Sequence, residues 1–343
     1  MGYLIRMYSF LKKIIFLFEP ETAHHIIFTF LKFLNHLGVL KLLAPKNSSK
    51  ERIVFNLKFK NPIGVAAGLD KNAEYINILD KLGFGFIEVG TLTPRPQAGN
   101  SKPRIFRLIK DKALINRFGF NNIGIDKAII NIKKSNYDGV LGINIGKNFD
   151  TPIENAIDDY LICFRKSYAY AGYITINISS PNTKNLRDLQ NTDNFSNLIR
   201  QIKSEQLKMS KLHSKYVPFV VKISPDCTNE ELDNICEILL ENNVDGVITT
   251  NTTLLREGLK SEYKTEKGGL SGEPLKTYSL NTQKKIFKNL NGKIPIIGVG
   301  GIMNAKDGLE RFANGADLIQ IYTGFIYQGN QLINELLKSI TQK

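Results

Sequence analysis

The chain of 343 residues has no tryptophan, three cysteines, four histidines and four methionines, and the scarcities exclude several functions. Cys163, Cys227 and Cys236 are an odd, widely spaced set without a C-x-x-C pair. That argues against a disulfide framework and a zinc site and fits a reducing compartment. His24 and His25 stand side by side, and no histidine falls in an H-E-x-x-H pattern, so the sequence points to no metal. No stretch reaches the roughly 18 uninterrupted apolar residues of a spanning helix, and no small-residue cleavage site marks a secretory signal. Acidic residues are also short, 32 against 46 Lys and Arg, leaving a formal charge of +14. Such an excess raises nucleic acid, an anionic membrane surface or an anionic ligand as partners. The lysines are scattered among Asn and Ile, without the Arg-rich runs and interleaved aromatics of a nucleic-acid binder, so no nucleic acid is expected.

With 42% hydrophobic residues the chain can bury a sizeable core. Residues 1–45 differ from the rest. Leu4, Ile5, Phe10, Leu11, Ile14, Ile15, Leu17 and Phe18 form one apolar cluster, Glu19 and Pro20 interrupt it, and Ile26, Ile27, Phe28, Phe30, Leu31, Phe33, Leu34 and Leu37 form another. A proline at that place starts a second helix after a bend. The polar residues between them are mostly basic (Arg6, Lys12, Lys13, Lys32, Lys41). The pattern fits two arrangements equally: helices lying in a membrane interface, or a hairpin packed on its own domain.

Beyond a polar linker, Lys46 to Lys50, strand and helix signals alternate over 46–343. The predicted strands are 62–66, 85–89, 141–145, 173–178, 218–223, 246–250, 294–299 and 317–322. Asp150, Thr151 and Pro152 read as a helix start, and Thr228 with Glu231 as a capping box. Eight strands, each followed by a helix, give an α/β fold of the TIM (β/α)8 barrel type with a small N-terminal helical extension.

In such a barrel the chemistry gathers at the C-terminal strand ends. Those ends carry Ala67, Gly68, Leu69, Asp70 and Lys71; Thr91; Asn144; Asn177 through Thr183; Lys222; Thr250, Asn251 and Thr252; Gly300 and Gly301; and Tyr322 and Thr323. Two amides and three hydroxyls at the end of strand four are costly to bury unless they face water or a ligand. Glycines after strands seven and eight suit a phosphate. Lys222 can set a positive charge against an electron-rich ring. The long connection after strand two, with Arg107, Asn116, Arg117, Phe118, Gly119 and Phe120, reads as functional, Asn116 gripping a small polar ring and a phenylalanine shielding it.

The segments A-A-G-L-D-K (66–71), G-T-L-T-P-R-P-Q-A-G-N (90–100), P-R-I-F-R (103–107), N-R-F-G-F-N-N (116–122), G-I-N-I-G-K-N (142–148), N-I-S-S-P-N-T (177–183), T-N-T-T (250–253), G-G-L-S-G (268–272) and G-V-G-G-I (298–302) together resemble the dihydroorotate dehydrogenase family. Ser180 in place of a cysteine, the extension 1–45, the Ala23–His24 pair and Arg107 resemble its quinone-dependent, membrane-associated class.

The resemblance implies oxidation of dihydroorotate to orotate in pyrimidine synthesis, with one FMN per chain and a membrane quinone as acceptor. Ser180 takes the proton from C5 as hydride passes from C6 to flavin N5. It implies FMN held by Ala67, Gly68, Leu69, Asp70, Lys71, Thr91, Asn144, Asn177, Lys222, Thr250, Gly272, Gly301, Tyr322 and Thr323. Substrate falls to Lys71, Asn116, Arg117, Phe118, Gly119, Phe120, Asn177, Asn182, Asn251 and Thr252, and quinone to His24 and Arg107. It further implies a monomer, peripheral on the cytoplasmic side of the inner membrane, its helices on an anionic surface. The rival expectations are an enzyme of the soluble or dihydropyrimidine-reducing kind and a barrel without chemistry.

Overall fold

In a computed structural model of the chain, residues 11–45, 51–183, 186–190 and 192–342 are described. The linker 46–50 and the first apolar residues, Leu4 to Phe10, lie outside them. Eight parallel strands close into a barrel: Ile63–Val65, Phe86–Leu92, Val140–Ile145, Tyr173–Asn177, Phe219–Ile223, Gly246–Thr249, Ile296–Val299 and Leu318–Ile321, here barrel strands one to eight. Each falls on a predicted strand, because parallel strands covered on both faces read as short continuous apolar runs. Outward residues such as Ile87, Val89, Ile143, Ile174 and Ile176 join the core under the helices. Inward residues such as Phe86, Val140, Tyr173, Val220, Ile248, Ile297 and Leu318 fill the barrel.

The helix starts divide. Thr228 caps helix Asn229–Glu241 as expected, Glu231 N donating to Thr228 Oγ1 (3.2 Å) and Thr228 N to the Glu231 carboxylate (2.7 Å). The expected start at Asp150–Pro152 needs correction. Pro152 leads into a 3-10 turn, Ile153–Asn155, and helix Ala156–Ser167 begins at Asn155 without a side-chain cap. The presumed capping groups have other partners: Asp150 pairs with Arg95 (2.6 Å), and the Thr151 hydroxyl donates to Asp159 (2.7 Å).

Two small sheets were not anticipated. A hairpin, Arg52–Val54 with Leu57–Phe59, contributes Phe59 to the barrel interior, where its ring meets Phe86 at 5.2 Å. Its turn is Phe55–Asn56, both at positive φ; without an Asn-Gly or Asp-Gly pair the sequence gives no hairpin signal. The second sheet joins Ile105–Leu108, Ala113–Asn116 and Gly269–Gly272 antiparallel. It pairs Asn116 with Gly269, linking the long connection after strand two to the one after strand six.

In the extension, residues 11–15 are helical and a bend leads to helix Pro20–His36, capped by Glu19, whose carboxylate accepts from Thr22 N (2.9 Å). One face packs on the barrel: Phe28 is buried and stacks on Tyr75, ring centroids 4.1 Å apart. On the other, Phe30 is 52%, Phe33 57% and Leu17, before the bend, 85% exposed. The two arrangements that the sequence left open thus address different faces of one element. No described helix is long and apolar enough to cross a membrane.

Candidate active site

The C-terminal strand ends and the loops above them enclose a cleft with about 1030 Å³ of empty space, part of it open at the rim. Near the end of strand two Gly90 cannot carry a side chain: at φ +104° its Cβ would meet the backbone of Asn144. Gly300 and Gly301, at φ +108° and +68°, turn the chain after strand seven, and a Cβ on Gly301 would meet the backbone of Lys276. Arg311 holds this turn from below: its buried guanidinium donates to Gly300 O and to Gln283 Oε1. The Ser271 and Thr323 hydroxyls join at 2.8 Å along the neighbouring wall.

One polar chain runs up the cleft. Thr91 Oγ1 donates to Asn144 Oδ1 (2.6 Å), and Asn177 Nδ2 to Thr91 Oγ1 (3.0 Å) and Asn144 Oδ1 (3.2 Å). Asn251 Nδ2 donates to Asn177 Oδ1 (3.2 Å) and to Ser179 Oγ (3.0 Å). Across the cleft Asn182 Nδ2 donates to Asn116 Oδ1 (3.2 Å), and Ser180 Oγ accepts from Asn182 N (3.3 Å).

Two lysines give the site its charge. Lys222, 6% exposed, has no hydrogen-bond or ion-pair partner among the described residues, and desolvation lowers its pKa although Glu88 partly opposes this. Lys71 donates to Gly68 O (2.9 Å) and stands 4.1 Å from the centre of the Phe118 ring. Desolvation brings it down to about 8.

A family model described as dihydroorotate dehydrogenase matches residues 50–343. The chain belongs to the dihydroorotate dehydrogenase family. A relative named dihydroorotate dehydrogenase (quinone) from Nitrosospira multiformis is 50% identical over 331 residues, 96% of this chain and 94% of that one. Another of that name from Salmonella choleraesuis is 51% identical over 336 residues, 97% and 99% of the two chains. The Eimeria tenella dihydroorotate dehydrogenase solved in complex with ferulenol superposes with a TM-score of 0.83 at 40% identity, covering 93% of this chain and 90% of that chain.

For a dihydroorotate dehydrogenase the lining is close to expectation. All of the flavin set except Leu69, Asp70 and Asn144 lines the cleft, as do Ser180 and all of the substrate set except Arg117. The exceptions have partners elsewhere. Asp70 is buried and accepts from Glu74 N and Tyr75 N (both 2.8 Å), tying down the loop that carries Lys71; burial raises its pKa to about 6. Asn144 sits behind Thr91, and Arg117 pairs with Glu266 at 2.5 Å. His24 and Arg107 lie outside the lining and join the extension to the barrel. His24 Nε2 bonds Leu69 O (2.8 Å), and Arg107 donates to Phe16 O (3.1 Å) and Phe18 O (2.7 Å). The sequence reading missed Ser271, Leu275, Ile302, Met303 and Gln320. Ser271 and Ile302, inside the G-G-L-S-G and G-V-G-G-I segments, were within reach; the others carry no signal of their own.

The residues fit a flavin. A buried ammonium with no direct ion pair among the described residues, a paired glycine turn and a graded set of amide donors and acceptors suit an electron-rich ring bearing a phosphate.

Proposed function

We propose that this chain oxidises dihydroorotate to orotate in pyrimidine synthesis, with FMN as its redox group, one per chain, and a membrane quinone as final acceptor. Near-full-length identity of about half to relatives named for that quinone reaction carries the reading. FMN is assigned to Ala67, Gly68, Lys71, Thr91, Asn177, Lys222, Thr250, Gly272, Gly301, Tyr322 and Thr323, with Asn144 behind them. When bound it supplies the acceptor for the hydride leaving C6 and the carrier that quinone reoxidises.

The chain's own residues do the rest. Lys71 meets the substrate carboxylate, and Asn116, Asn177, Asn182 and Asn251 match the alternating N–H and C=O groups of the ring. Ser180 takes the C5 proton. A serine is a weak base, and the Thr183 hydroxyl, buried and without a partner among the described residues, is proposed to relay the proton through an ordered water. Phe120, packed against Gly146, would screen that route from solvent.

We assign residues 1–45 to membrane contact and quinone entry and 46–343 to the barrel. The chain would act as a monomer, peripheral on the cytoplasmic side of the inner membrane. Exposed Phe30, Phe33 and Leu17 beside scattered Lys residues support contact with anionic lipid. His24 and Arg107, where the extension joins the barrel, remain assigned to the quinone path.

The test is anaerobic addition of dihydroorotate to the yellow protein while its flavin absorbance is followed. Rapid bleaching is expected, slowed about 10²–10⁴-fold in Ser180→Ala with flavin still bound. A colourless protein, or no bleaching, would refute the reading; normal bleaching in the variant would remove Ser180 as base.

A further inference from the structure

Glu88 lies on barrel strand two, wholly buried, and does not line the cleft. It faces inward, since its neighbours Ile87 and Val89 belong to the outer core. Three donors converge on its carboxylate: Asn144 Nδ2 on one oxygen (2.8 Å), Tyr173 OH (2.8 Å) and Gln320 Nε2 (2.7 Å) on the other. Among inward-facing strand residues the charged side chains are Glu88 and Lys222. The field of Glu88 favours the charged form of Lys222.

In all three contacts the neighbour donates and the Glu88 carboxyl oxygens accept. Asn144 must therefore turn its NH₂ down to Glu88 and its carbonyl oxygen up to Thr91 and Asn177. That oxygen draws the NH₂ of Asn177, whose own oxygen is left to receive Asn251 Nδ2. Each amide could flip if its neighbour below could both donate and accept. An acceptor-only group at the root removes that freedom.

We propose that Glu88 is a positioning residue which, without touching substrate or cofactor, sets the donor and acceptor polarity of the Asn144–Asn177–Asn251 amides in the cleft. The proposal rests on the dihydroorotate dehydrogenase reading above for what those amides bind.

The experiment compares full-length, flavin-loaded wild type with Glu88→Gln, measuring orotate binding by flavin absorbance, flavin midpoint potential and thermal melting. The isosteric variant is expected to bind orotate about tenfold more weakly, as misdirected buried amides do, with a displaced midpoint potential. In an Asn144→Ala background, Glu88→Gln is expected to change orotate affinity less than twofold. Wild-type affinity and potential in folded Glu88→Gln overturn the proposal, as does a full tenfold loss without Asn144. Should Glu88→Gln fail to fold, neutron diffraction from the deuterium-exchanged wild type decides. Deuterium on Asn144 Nδ2 facing a bare Glu88 carboxylate supports the proposal, and a deuteron on Glu88 or a reversed amide refutes it. A wild type that dihydroorotate does not bleach would instead be a failure of the functional reading itself.

Discussion

At the scale of single residues, Lys71 combines two opposed conditions. In the role proposed for it, it carries charge to meet a carboxylate, yet desolvation, with Arg104 also opposing its charge, brings its pKa to about 8 against 10.5 for an open lysine. An arriving anion favours the charged form, so binding and protonation are linked. In that proposed role only the protonated amine attracts orotate. Affinity is therefore expected to hold below pH 8 and to fall as pH rises through 8, with the fall absent in Lys71→Met, whose affinity is weaker at every pH. Titrating flavin absorbance with orotate between pH 6.5 and 9.5 measures it; a flat wild-type profile would mean that Lys71 does not meet the carboxylate. The neighbouring Phe118 ring presents its face to the amine 4.1 Å away and favours the charged form.

Among the elements, the N-terminal helix has two faces with separable tasks. Its inner face is pinned by charge and ring contacts. Glu21 pairs with the buried Arg104 (2.9 Å), and although burial opposes its ionised form, Arg104 and Lys102 hold its carboxyl below the usual range. His24 bonds Leu69 O, two residues before Lys71, and desolvation takes its pKa to about 4, so the ring is neutral at pH 7. Its outer face, with Phe30 and Phe33, is exposed among the described residues. Substituting Phe30→Glu together with Phe33→Glu is therefore expected to leave flavin reduction by dihydroorotate unchanged. Sedimentation with anionic vesicles and turnover with a long-tailed quinone should both fall at least tenfold. Full retention of vesicle binding would make the helix a packing element alone. Deleting the whole extension would confuse the two faces, since it would also uncover Tyr75 and release Leu69.

For the molecule as a whole, the barrel interior changes character along its axis. Phe59, Phe86 and Leu318 fill one end with hydrocarbon, while Glu88, Asn144, Lys222 and Gln320 sit buried nearer the cleft. On the proposed assignment, a cofactor at the polar end would compensate groups that burial otherwise penalises, above all the Lys222 ammonium. Stripping FMN is expected to lower the melting temperature and added FMN to restore it, by about 2.7 kcal/mol at a free concentration a hundred times its Kd. Differential scanning fluorimetry of stripped and refilled protein checks this; identical melting would mean that FMN binding is not coupled to folding.

Sequence by itself determined the eight barrel strands, the bend at Pro20 and nearly all of the cleft's polar lining. Strand burial leaves apolar runs, and ligand-facing residues cluster where those runs stop. Tertiary structure alone decided the rest. Which residue closes the barrel's lower end, which connections meet through Asn116 and Gly269, and which way the Asn144 amide faces all depend on partners far apart in the chain. Glu88 reads in sequence as one acid in a buried strand. Only the closed barrel brings Tyr173 and Gln320 to it, because the pairing of distant strands is a long-range matter that no local pattern encodes.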